Sequence, residues 1–75
     1  MIRYKIDIMK ELTSKGYSYT RIKKEKLLSA QTLENIKIGK SITLDTLNKV
    51  CLMTKLSVGD IIEVVVTDEE KERYY

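Results

Sequence analysis

The chain has 75 residues, a formal net charge of +3, one cysteine, no histidine and no proline. That length makes one domain, whose core withdraws only about 60% of the unfolded surface from water; Cys51 alone makes no disulfide, and without histidine the commonest general base and zinc ligand are missing. The three glycines lie too far apart for a phosphate-cradling loop and no apolar run nears the roughly 20 residues of a membrane span, so neither catalysis nor a cofactor is expected, and a lone thiol without a signal-peptide pattern fits a reducing cytoplasm.

In chain order, residues 1–5 alternate Ile2 and Tyr4 against Arg3 and Lys5, the period of an extended strand. Residues 6–15 read as a helix, with Ile8, Met9 and Leu12 on one face, Asp7 near its start and Gly16 as its stop. Ser18 is the expected N-cap of a second helix, with Ile22 facing inward. A third helix, 29–38, starts on Ser29, buries Leu33 and Ile36, and ends at Gly39. Thr43 caps a fourth helix, 44–55, whose apolar stripe is Leu44, Leu47, Val50 and Cys51, with Leu52 at its margin. Cys51 within that stripe is expected to be an inert thiol.

Ser57 caps a last short helix through Asp60, Ile61 and Ile62, and Val64, Val65 and Val66, all β-branched, favour a strand. Two pairings are open for that strand: with the N-terminal segment as a small antiparallel sheet, or with a second copy of the chain. Residues 68–75 are charged and aperiodic, which predicts a disordered tail behind a domain spanning 1–67.

The charge is split. Residues 1–55 carry 12 Lys/Arg against 5 Asp/Glu, a balance of +7, and residues 56–75 carry 2 against 6, a balance of −4. A basic body suits a polyanionic partner. The segment 17–39 sharpens this. It reads as two short helices around a tight turn, the second presenting Ala30, Gln31, Thr32 and Asn35 between flanking cations. Small hydrogen-bonding groups on a helix between phosphate-seeking residues are what reading base edges requires.

These residues together resemble the Cro/CI-type helix-turn-helix domain, the lambda-repressor-like or Xre family, in its compact single-domain bacterial form. The matching positions are Ile2-Arg3-Tyr4-Lys5, Met9, Leu12, Lys15-Gly16-Tyr17-Ser18, Ile22, Leu28-Ser29, Thr32-Leu33, Ile36 and Gly39-Lys40. They continue through Thr43 to Cys51 and close with Val58-Gly59-Asp60-Ile61-Ile62-Glu63. The resemblance implies an all-α, five-helix bundle with the third helix offered to the major groove of double-stranded DNA. It also implies a homodimeric repressor, bacterial or phage in origin. One departure stands out. Leu27 occupies the turn position where the family often has glycine, and a non-glycine residue in a left-handed turn costs roughly 1–2 kcal/mol.

On this reading Gln31 is the leading base contact, because an amide pairs with adenine in bidentate fashion, and Asn35 has the same capability four residues on. Ala30 and Thr32 suit thymine methyls. Phosphate contacts fall to Ser18, Tyr19, Lys23, Ser29, Lys37, Lys40 and Ser41. The plainer alternative is that these are solvated surface positions, Tyr19 a ring covering the core. Two other functions stay open: a protein-interaction module, such as an antitoxin or an inhibitor of another regulator, working through the C-terminal strand and acidic tail; and non-specific DNA binding.

Overall fold

The computed structural model, which describes Met1–Tyr75, sets each of the first four helices between a polar N-cap and a defined stop. The Asp7 carboxylate accepts the Lys10 N–H at 3.2 Å and opens α1 (Ile8–Ser14). Because Asp7 itself is extended, the helix starts two residues later than the apolar pattern predicts. The hydroxyls of Ser18, Ser29 and Thr43 each accept an N–H three residues on at 3.1 Å. They start α2 (Tyr19–Lys24), α3 (Ala30–Lys37) and α4 (Leu44–Thr54), as expected. Each such cap contributes about 1 kcal/mol.

The stops of α1, α2 and α3 share one geometry, whereas α4 ends on Lys55, itself left-handed at φ +62°. After α1, the Tyr17 N–H reaches the Leu12 carbonyl at 2.8 Å and the Gly16 N–H reaches Thr13 at 3.0 Å, with Gly16 at φ +90°. After α3, Lys40 bonds to the Asn35 carbonyl at 2.8 Å and Gly39 to Ile36 at 3.3 Å, with Gly39 at φ +79°. This paired closure satisfies the last free carbonyls and needs a left-handed residue just past the C-cap. α2 closes the same way: Leu27 bonds to Ile22 at 3.0 Å and Lys26 to Lys23 at 3.2 Å. The left-handed residue is therefore Lys26, at φ +56°, and not Leu27 as the sequence comparison suggests. One residue's difference turns Leu27 back onto the core, where it is half-buried.

That core is Ile8, Leu12, Ile22, Leu28, Leu33, Ile36, Leu47, Val50, Met53 and Ile61. Leu33 and Ile36 hold the inner face of α3, as its 3.6-residue period predicts. α4 departs from expectation. Its buried arc is Leu47, Val50, Met53 and Thr54, while Leu44 is 82% exposed and Leu52 63%. Leu44 sits in the first turn, at the rim of a groove rather than inside the bundle. Thr54, fully buried, donates its hydroxyl to the Val50 carbonyl at 2.7 Å, so no polar atom is stranded.

The two ends of the fold meet. β1 (Ile2–Tyr4) pairs antiparallel with β2 (Ile62–Val64), Ile2 opposite Val64 and Tyr4 opposite Ile62. Bonds from Lys5 to Ile61 at 2.8 Å and from Val65 to Met1 at 2.7 Å extend the ladder. Pairing within the chain is thus the arrangement adopted. The strand begins two residues before the valine run, because Ile62 packs with Tyr4 against the core. α5 (Val58–Ile61) leads into β2, with the Asp60 carboxylate accepting both the Ser57 N–H at 3.0 Å and its hydroxyl at 2.9 Å. Those bonds, the backbone one first, hold the Asp60 carboxyl below its ordinary range.

The charged tail expected at 68–75 is a sixth helix, α6 (Asp68–Tyr74). It lacks apolar periodicity but has a capping box. Thr67 accepts the Glu70 N–H at 3.2 Å while the Glu70 carboxylate accepts the Thr67 N–H at 3.0 Å. The same carboxylate takes the Met1 ammonium at 2.6 Å. None of its residues is buried. The molecule is mostly helical with one small sheet, and no helix is long and apolar enough to cross a membrane.

Candidate nucleic-acid interface

α2, the turn at Lys26 and α3 form a helix-turn-helix whose outer surface carries most of the expected contact residues. Leu33 and Ile36 point into the core, so the opposite side of α3 is free. Ala30 and Gln31 are exposed there, while Thr32 and Asn35 are half-buried on its flanks. The Gln31 side-chain N–H donates to Asn35 Oδ1 at 3.0 Å, so the two amides act as a pair. A second pair joins Ser29 and Thr32. The Ser29 hydroxyl accepts the Thr32 N–H and donates to Thr32 Oγ1 at 2.8 Å. Ser29 has thereby committed its proton, and the Thr32 hydroxyl is the free donor of the two.

Tyr19, exposed at the first turn of α2, has two ammonium groups near its ring. Lys23 Nζ lies 5.3 Å from the centroid and Lys37 Nζ 5.1 Å. The ring's negative face attracts both cations, and one of them comes from α3. This cluster brings three expected phosphate contacts, Tyr19, Lys23 and Lys37, to one place. Ser18 is exposed at the same helix start, its hydroxyl oxygen occupied by the Arg21 N–H. The Tyr19–Lys23 half of the cluster was visible as an i, i+4 spacing; the approach of Lys37 required the packing of α3 on α2.

Lys23, Lys26, Ser29 and Ala30 border a shallow depression between the end of α2 and the start of α3. Lys40 and Ser41 lie exposed at the other end of α3, where the Lys40 carbonyl accepts the Tyr4 hydroxyl. They line a groove of about 130 Å³ with Ile2, Tyr4, Ile42 and Leu44. Burial raises the pKa of the Tyr4 phenol and keeps it a neutral donor.

Not every cation of 21–26 is available. Arg21 Nε pairs with Glu25 at 2.7 Å, Nη1 donates to the Gly16 carbonyl at 3.0 Å, and the guanidinium lies 4.6 Å from the Tyr17 ring centroid. The Glu25 hydrogen bond raises the Arg21 pKa further. Arg21 is a latch between α2 and the turn before it.

The model of the Cro/C1-type HTH DNA-binding domain matches residues 7–67. The chain belongs to this family. Its Cro/C1-type helix-turn-helix is the α2–α3 unit, and the match extends through α5 and β2 to the residue before α6. No curated protein and no solved structure matches the chain. Membership makes DNA the partner class of this Cro/C1-type domain, while the particular contacts belong to the side chains described above.

Proposed function

We propose that the protein is a sequence-specific regulator of transcription that lays α3 in the major groove of duplex DNA and represses by occupying a promoter. It has no enzymatic step and needs no cofactor. The observation that carries this reading is the hydrogen-bonded amide pair of exposed Gln31 and half-buried Asn35 on α3, within a Cro/C1-type domain. Ala30 and Thr32 flank the pair for thymine methyls. Ser18, Tyr19, Lys23 and Lys37 around the Tyr19 ring, and Lys40 and Ser41 after α3, are the proposed phosphate contacts; Ser29 contributes by holding Thr32.

The acting species is a homodimer on a two-fold symmetric site, its half-sites about 34–36 Å apart. Support comes from an apolar rim on the sheet side, where Ile2 is 62% exposed, Val64 70% and Leu44 82%, from three different elements. Clustered apolar surface of this kind marks association sites. Selection from a random duplex pool tests the reading. Wild type should enrich one motif, and Gln31→Ala should lose part of it. Enrichment of no motif sinks the specific regulator.

The acidic helix α6, none of whose residues is buried, favours a second reading, a module that binds a basic protein surface. That module would show no useful DNA affinity even at low salt, where a non-specific DNA binder would bind all sequences alike.

A further inference from the structure

The Gln31–Asn35 bond has a direction, and the direction selects a base. Gln31 has one carbonyl oxygen and two N–H donors. One N–H is committed to Asn35 Oδ1 at 3.0 Å. Gln31 therefore keeps one acceptor, Oε1, and one donor, the second N–H. In the major groove adenine offers one donor, N6–H, and one acceptor, N7, whereas guanine offers two acceptors, N7 and O6. The committed amide is complementary to adenine. To meet both guanine acceptors with one N–H each, it would have to break its bond to Asn35. Had the bond run the other way, Asn35 donating to Gln31 Oε1, both Gln31 donors would have remained and guanine would have fitted.

Burial separates the two roles. Gln31 is exposed at the start of α3, while Asn35 is half-buried one turn further on. The spacing of four residues stacks them on one face of the helix. We propose that Asn35 is a positioning residue: it fixes the Gln31 amide in the orientation that reads adenine, and does not read a base pair of its own. The proposal rests on the DNA-binding reading above and adds the identity of one letter and the residue that sets it.

The test is selection from a random duplex pool with wild type, Gln31→Ala, Asn35→Ala and Asn35→Asp, followed by titration of the enriched site and its single-base variants. Gln31→Ala locates the base pair that Gln31 reads. At that pair wild type should prefer adenine to guanine by about tenfold, within the usual range for a bidentate contact. Asn35→Ala should reduce that preference severalfold at the same pair and leave the other positions unchanged. Alanine is the better helix former, so the helix content measured by circular dichroism should be retained. In Asn35→Asp the carboxylate can only accept, so adenine preference at that pair should be kept while affinity falls for every sequence through the added negative charge. Guanine at the Gln31 pair, a change at a different pair in Asn35→Ala, or loss of adenine preference in Asn35→Asp would each overturn the assignment while leaving a specific DNA-binding protein in place. Absence of any motif with wild type would overturn both.

Discussion

At the scale of single residues, one strained position lies in the turn between α2 and α3. Lys26 holds a left-handed backbone at φ +56° because the stop of α2 needs one there. A side chain in that conformation costs roughly 1–2 kcal/mol, and glycine gives back part of the gain through its freer unfolded chain. Lys26→Gly should therefore stabilise the fold by about 0.5–1 kcal/mol, read as a higher urea midpoint at unchanged slope. Leu27→Gly should lower the midpoint instead, because it empties a half-buried place against the core. A gain from Leu27→Gly would mean that the turn is wrongly assigned. The caps Ser18, Ser29 and Thr43 and the stops Gly16 and Gly39 were legible in the sequence, because each role is local and suits few residue types. The shift from Leu27 to Lys26 was not, because the register of the stop depends on which apolar side chain reaches the core.

Among the elements, α6 is the one held by polar contacts alone. Its Glu70 carboxylate accepts from the Met1 ammonium and from Thr67, and these bonds, the ammonium first, lower its pKa to about 2. A carboxyl depressed in the folded state stabilises fully above the ordinary glutamate range, and that contribution fades as pH falls toward the folded value. The Glu70 carboxyl resonance should accordingly titrate near 2, with the docking of α6 lost over the same interval. A midpoint near the ordinary value of 4.5 would show that α6 is not tied to the N-terminus. The helix escaped sequence reading because its signal is a reciprocal cap between Thr67 and Glu70, and not an apolar stripe. The converse holds for Leu44, which continues the period of α4 yet lies outside the bundle. Periodicity assigns a residue to a face, and only the neighbouring elements decide how far along that face burial extends.

At the scale of the whole molecule, the helix-turn-helix surface and the sheet surface differ, and Lys40 and Ser41 share a groove with Ile2 and Leu44 between them. Lys23, Lys37 and the amide pair lie on the helix-turn-helix side, and the sheet side exposes Ile2, Val64 and Leu44. The proposed dimer predicts that this apolar rim is its contact surface. Leu44→Glu should leave the far-ultraviolet circular dichroism unchanged, since the residue packs little, but weaken self-association at least about tenfold in analytical ultracentrifugation, because a desolvated carboxylate is costly. The same variant should lose affinity for a two-fold site and keep it for a half-site. Unchanged association in Leu44→Glu would remove this rim from the dimer interface.

The sequence by itself determined the helix-turn-helix, its caps, its inner residues Leu33 and Ile36 and the cations around it, because helical period and capping act within a few residues. It also left two pairings of the C-terminal strand open. Tertiary structure decided the rest: Ile2 opposite Val64 within one chain, Lys37 brought to the Tyr19 ring, and Leu44 left outside. Most of these contacts join residues distant in sequence, and all of them depend on how the elements pack. No local pattern encodes that packing, because each alternative partner was chemically acceptable until the core closed.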